Sequence, residues 1–214
     1  MKKFIPLILI ASLFACWSCN LEDTYTETNV KDMVNVKDGQ LFNDYGYILT
    51  VKEDAVGQAN WKIEGARYLA IFDILNRDMD ISLKSVLDAQ IIEAEPLGDP
   101  EELAKDPVDL LIHGFSGGYF NVGFTITRAK NSNNAHAFHF YYKMDVNILT
   151  LYVEQEGNGE DPVHMSSDDL VSEDRMFSIP LEDLPYFSGL NLVINYVTTE
   201  GGQTVVKEGS INIR

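Results

Sequence analysis

The feature that most restricts this chain is the period-2 alternation of apolar and polar residues across its C-terminal half. In Tyr119-Phe120-Asn121-Val122-Gly123-Phe124-Thr125-Ile126 every second residue is large and apolar, the pattern of a strand with one buried face. Seven strand candidates follow Pro107: Val108–His113, Tyr119–Arg128, Ala137–Asp145, Ile148–Glu154, Arg175–Ile179, Leu190–Thr198 and Val205–Ile213. Ser116-Gly117-Gly118, Asn131-Ser132-Asn133-Asn134, Gly157-Asn158-Gly159 and Glu200-Gly201-Gly202 separate them, and glycine and asparagine tolerate the left-handed backbone of tight turns. Short strands at this spacing, with no helix to cover a parallel sheet, predict an antiparallel β-sandwich over residues 107–214.

Upstream the alternation is looser. Tyr45–Val51, Arg67–Leu75 and Ile81–Ile92 read as strands, with turn chemistry at Asp38-Gly39, Glu53-Asp54 and Asn76-Arg77-Asp78. Between the halves, Glu95-Pro96-Leu97-Gly98-Asp99-Pro100 interrupts any regular element. Asp99 can then cap a short helix with Pro100 at its first position and Glu102 completing a capping box. That helix cannot outlast Asp106-Pro107, since proline disfavours helical geometry in the preceding residue. The expected organisation is a small β domain over 33–97, a linker over 98–106 and the sandwich over 107–214.

The N-terminus is an address. Lys2 and Lys3 precede a 12-residue apolar run, Phe4–Ala15, too short to span a bilayer and of signal-peptide length. Both cysteines, Cys16 and Cys19, close this segment, so no disulfide framework is available to the exported chain. Small residues beside cysteine indicate a lipoprotein signal over residues 1–18. Cys19 is the favoured lipidation site, because Asn20-Leu21-Glu22-Asp23 then begins an acidic tether over 19–32; Cys16, after Leu13-Phe14-Ala15, is the alternative. Anchoring follows from acyl-chain burial, at about 0.8 kcal/mol per CH₂. The whole chain carries a formal −17, and losing Lys2 and Lys3 leaves 14 Lys+Arg against 33 acids, a formal −19. A surface this acidic, without a basic stripe, excludes nucleic acid as a partner.

One set of segments has a familiar order. It comprises the signal ending in Ser18-Cys19, the Arg67–Ile92 strand pair, Pro107-Val108-Asp109-Leu110 leading through His113 into Ser116-Gly117-Gly118-Tyr119-Phe120-Asn121-Val122, and Leu190-Asn191-Leu192-Val193-Ile194-Asn195-Tyr196. It resembles the NigD-like lipoproteins of the Bacteroidota, the Gly-Gly-Tyr-x-Asn turn and strand being the most specific part. The resemblance implies an all-β chain, an OB-like barrel followed by an immunoglobulin-like antiparallel β-sandwich. Glu22 and Asp23, just after the cysteine, resemble the signals that send lipoproteins of the Bacteroidota to the outer face of the outer membrane, so an outer-membrane lipoprotein on the cell surface or the periplasmic face is expected. The family brings no catalytic residues, and its name derives from a bacteriocin-associated gene cluster.

Candidate chemistry is sparse. Gly114-Phe115-Ser116-Gly117-Gly118 matches G-x-S-x-G formally, but a strand rather than the required helix follows it. His136 and His139 point to opposite faces of one strand and cannot share a metal ion. Glu154-Gln155-Glu156-Gly157-Asn158-Gly159-Glu160-Asp161 offers oxygens for calcium but lacks the alternating acidic pattern of a dedicated loop. No catalytic residue, metal or cofactor is expected. Trp61, Tyr45 and Tyr47 are the candidate ligand-binding residues, able to stack on a neutral sugar at an OB-like barrel face. The expectation is a non-enzymatic, lipid-anchored envelope module whose partner is another envelope protein or a glycan. The alternatives are a surface hydrolase using a carboxylate pair and an accessory or immunity protein of a bacteriocin system.

Overall fold

A computed structural model describes residues 25–98, 103, 106–130, 136–146, 148–157, 165–185, 191–200 and 203–212. The signal peptide, Cys16, Cys19, the first part of the tether, nearly all of the linker helix, the Asn131–Asn134 turn, the calcium-like stretch from Asn158 and Gly201-Gly202 lie outside the described residues. Among the described residues the fold is all-β apart from one four-residue helix and two 3₁₀ turns.

Five strands close into a ring. They are β1 (Glu27–Lys37), β2 (Gln40–Asn43), β3 (Ile48–Asp54), β4 (Arg67–Ile74) and β5 (Asp80–Ile91), in the order β1-β2-β3-β5-β4. Parallel β3–β5 pairing completes the circuit, and α1 (Gln58–Trp61) lies between β3 and β4. Val34, Val36, Leu41, Leu49, Tyr68 and Phe72 fill its interior together with Trp61. β1 starts at Glu27, inside the stretch expected to be tether. Its inward apolar residues are interleaved with Asn, Asp and Lys, so pairing to β4 rather than alternation defines it. The strand expected from Tyr45 starts only at Ile48: Gly46 takes φ 87°, and Asn43 Oδ1 accepts the Tyr45 and Tyr47 amides, holding 44–47 in a turn. Glu53-Asp54 ends β3 instead of forming a turn, and Asp54 accepts the Val56 and Gly57 amides. Asp38-Gly39 is a hairpin turn as expected, with φ of 50° and 69°.

The second half builds two layers. β7 (Asp109–Ser116), β8 (Tyr119–Ala129) and β11 (Leu170–Pro180) form one; β6 (Ala94–Pro96), β9 (Ala137–Asp145), β10 (Ile148–Glu156), β12 (Asn191–Glu200) and β13 (Gln203–Asn212) form the other. Phe120, Val122, Phe124 and Ile126 point inward from β8, in the predicted alternation, onto Phe138, Phe140, Leu149, Leu151 and Ile194. The Phe138 and Phe177 rings meet in a tilted contact, 4.6 Å between centroids.

The expected antiparallel pairing is corrected to a mixed one. β10–β12, β6–β9 and β5–β11 are parallel. A parallel pair needs a crossover, usually a helix, but β11 of the opposite layer separates β10 from β12 in the chain, and β7 and β8 separate β6 from β9. The 12 residues of β5 link the halves: its first part belongs to the ring, and Ala89–Ile91 pairs with Met176–Ser178. One eight-stranded sheet therefore runs β3-β2-β1-β4-β5-β11-β8-β7.

Candidate functional site

Strand β4 alternates Tyr68, Ala70 and Phe72 into the ring, so Arg67, Leu69 and Ile71 face outward. Yet Arg67 is almost fully buried, because this wall faces the other half of the molecule. All five of its N–H donors are used. Nη1 and Nη2 donate to the two Asp44 oxygens at 2.7 and 2.6 Å, Nη1 also to Asn35 Oδ1 at 2.9 Å, Nη2 to Asn121 Oδ1 at 3.1 Å, and Nε to Ser178 Oγ at 2.9 Å. The Tyr119 ring lies 4.4 Å from the guanidinium carbon, within cation–π range.

The Gly-Gly-Tyr-x-Asn motif surrounds this cluster. A Cβ on Gly117, whose φ is +59°, would stand 2.3 Å from Asp44 Oδ1, so glycine is required for Asp44 to approach the hairpin. Ser116 Oγ donates to Asp44 Oδ2 at 2.5 Å and accepts from Asn121 Nδ2 at 2.9 Å. Burial pushes the Asp44 carboxyl up, but hydrogen bonds from Arg67, Ser116 and Asn35 and the Arg67 charge outweigh it and hold it below the usual range. A carboxylate so held is a poor base, and Ser116 has its proton committed to it. Ser116 and the hairpin turn that carries it are thus joined to a buried ion pair, and the site reads as a clamp between the halves.

Beside the clamp runs a groove between the ring wall and β7. One part, of ≈ 290 Å³, is lined by Lys31, Leu69, Ile71, Leu87, Leu111 and Ile112, among others. An adjoining hollow of ≈ 170 Å³ shares Lys31, Leu69 and Ile112 and adds Asp32, Tyr45 and His113. Leu111 is 49% and Ile112 37% exposed. Burial pushes the Asp32 carboxyl up, helped by the Asp44 charge and opposed by hydrogen bonds from Asn43 and the Met33 amide. A raised and a lowered carboxyl therefore lie in one region, the arrangement an acid–base pair requires. The Asp44 side chain, however, is fully buried, and its oxygens accept from Arg67, Asn35 and Ser116, which leaves no lone pair to offer a substrate.

The expected aromatic site is divided. Trp61 is 4% exposed and packs in the ring core, its Nε1 donating to Asp54 Oδ2 at 2.9 Å. Its stacking role is corrected to core packing, since no ligand reaches a ring held there. Tyr45 and Tyr47 are exposed, at 76% and 59%. Arg67, Asp44, Asn35 and Ser178 escaped the sequence reading. The available signal was β4 itself, apolar on both faces, which announces a strand covered on two sides.

His136 precedes β9, and its Nδ1 lies 2.6 Å from Gln155 Nε2. His139 lies on the opposite face, as the strand period predicts. Glu173 pairs with Arg128 at 2.6 Å and with Arg175 at 2.8 Å, and Asp174 accepts from Thr125. These acidic residues thus form surface pairs.

No protein-family model matches the chain, and no curated protein matches it significantly. Solved structures do. A NigD-like immunity protein from Bacteroides caccae superposes with TM-score 0.58 at 18% identity, over 86% of this chain and 91% of that one. A protein of unknown function, DUF1344, from Bacteroides vulgatus gives TM-score 0.65 at 16% identity, over 87% and 92%. A candidate lipoprotein from Bacteroides fragilis gives 0.53 at 15%, over 88% and 99%. These superpositions cover most of the chain: it has the fold seen in a NigD-like immunity protein.

Proposed function

We propose that this chain is a non-enzymatic interaction module, held at the cell envelope by a lipid on Cys19, that binds an extended segment of a partner envelope protein along β7. One observation carries the reading. β7 is the terminal strand of the eight-stranded sheet, and its exposed Leu111 and Ile112 face the apolar ring wall across the groove. An edge strand offers unpaired backbone groups, and an adjacent apolar groove offers pockets for alternate side chains, the two requirements of strand addition. The fold shared with a candidate lipoprotein supports the envelope setting, as does the fold shared with an immunity protein. The ring order β1-β2-β3-β5-β4 with α1 between β3 and β4 supports reading the N-terminal unit as OB-like, and the two-layer second half supports an immunoglobulin-like reading.

A photo-crosslinking residue at Ile112 should trap a discrete protein in intact cells, while the same residue at Val146, 89% exposed and outside the groove, should not. Identical products from both positions would remove the reading. A second reading rests on Tyr45 and Tyr47, whose exposed rings suit stacking on a glycan. Glycan-array binding abolished by Tyr45→Ala and Tyr47→Ala but kept by Leu111→Asp would favour it. Labelled palmitate should enter the protein, be lost in Cys19→Ser and persist in Cys16→Ser; the reverse pattern assigns the anchor to Cys16.

A further inference from the structure

The outer face of the five-stranded sheet carries a cluster with no part in the groove or the clamp. His139 of β9 stands directly opposite Glu154 of β10. Opposed residues of an antiparallel pair share one face, with Cβ atoms about 4.5–5.5 Å apart, and long side chains also reach the diagonal neighbour. Glu156, two residues further along β10, lies on that face too. One donor atom from each of His139, Glu154 and Glu156 lies within 4.8 Å of the others. Strand β6 adds Glu95, opposite Tyr141, and the Tyr141 hydroxyl donates to Glu154 Oε2 at 3.0 Å. Glu95, His139 and Tyr141 also line one hollow of ≈ 320 Å³, which brings a third carboxylate to the side of the imidazole. Glu154 is 7% exposed, although it lies on the face opposite the sandwich core.

We propose that His139, Glu154 and Glu156 form a binding site for one divalent transition-metal ion of the zinc class, with Glu95 flanking it. The donor set decides the class. Calcium and magnesium take all-oxygen shells, whereas an imidazole nitrogen among carboxylates suits zinc and its first-row neighbours. Two carboxylates and a neutral imidazole bring a charge of −2 to the site, which a divalent ion neutralises. Strand register supplies the geometry: two rigid neighbouring strands place three donors at one point without any loop. His136, on the other face, takes no part.

Calorimetric titration of the purified, untagged protein with zinc chloride should show one ion bound per chain, at least about tenfold tighter than calcium or magnesium. His139→Ala should weaken zinc binding at least about tenfold, since even removal of groups that only orient ligands costs about 10–100-fold. Glu156→Gln should also weaken it, and His113→Ala, in the groove, should not. His139 is exposed, so its removal should leave the metal-free melting curve unchanged. Absence of zinc binding, preference for calcium, or equal zinc affinity in His139→Ala would each overturn the proposal.

Discussion

Replacing Arg67 by Met tests the clamp most severely. The substitution keeps much of the side chain's volume and removes all five donors, leaving the Asp44 carboxylate buried with only Ser116 and Asn35 to serve it. Removing one partner of a buried ion pair costs about 3–5 kcal/mol, because the other charge is left uncompensated. For a chain of this size that lowers the melting temperature by roughly 6–20 °C. Urea unfolding followed by Trp61 fluorescence reports the ring directly, since Trp61 lies in its core. The double variant Asp44→Asn, Arg67→Met should recover part of the loss, because nothing charged is then stranded. Acid dependence gives an independent check. Folding holds the Asp44 carboxyl below its unfolded value, so its contribution is complete above the unfolded pKa, about 3.9. It disappears as pH falls through the folded pKa. Arg67→Met should abolish that acid-labile component. A loss below about 1 kcal/mol with an unchanged urea slope would falsify the clamp.

Gly117→Ala should destabilise more than Gly118→Ala: both have positive φ, but only Gly117 has the Asp44 carboxylate within 4 Å, and a melting series separates strain from clash. Ser116→Ala should cost about 1–3 kcal/mol by stranding buried hydrogen-bond partners and leave ester hydrolysis at the background rate in both proteins; an esterase activity lost on substitution would contradict the structural assignment. Carboxyl carbon NMR should find Asp32 titrating above the ordinary aspartate value and Asp44 below it, in line with their opposite shifts. Trp61→Phe should lower stability through the lost hydrogen bond to Asp54 and leave any glycan binding intact; weakened glycan binding at unchanged stability would return Trp61 to the ligand site.

Strands of the second half were legible because the face that meets the core carries large apolar residues and the other face carries polar or small ones. Tyr119–Ala129 and Ala137–Asp145 fall at or within a residue of their expected limits for that reason. β1 and β2 were not legible. β1 interleaves its apolar residues with Asn, Asp and Lys, and β2 is only four residues long, and what holds them is pairing with other strands. The Gly-Gly-Tyr-x-Asn motif stood out in the sequence, but its reason did not. Arg67 meets Ser178 across 111 residues and Asn121 across 54.

The sequence by itself determined the all-β class, the alternation that sorts core from surface, the opposed faces of His136 and His139, and the acidic net charge. Each follows from local periodicity or from composition, which need no knowledge of partners. Only the tertiary structure decided that β5 carries one sheet through both halves, that Trp61 is core while Tyr45 is surface, and that Ser116 serves a buried ion pair. It alone brought His139 to Glu154 and Glu156. These depend on register and crossover between strands far apart in the chain, and local pattern carries no term for distances between such strands.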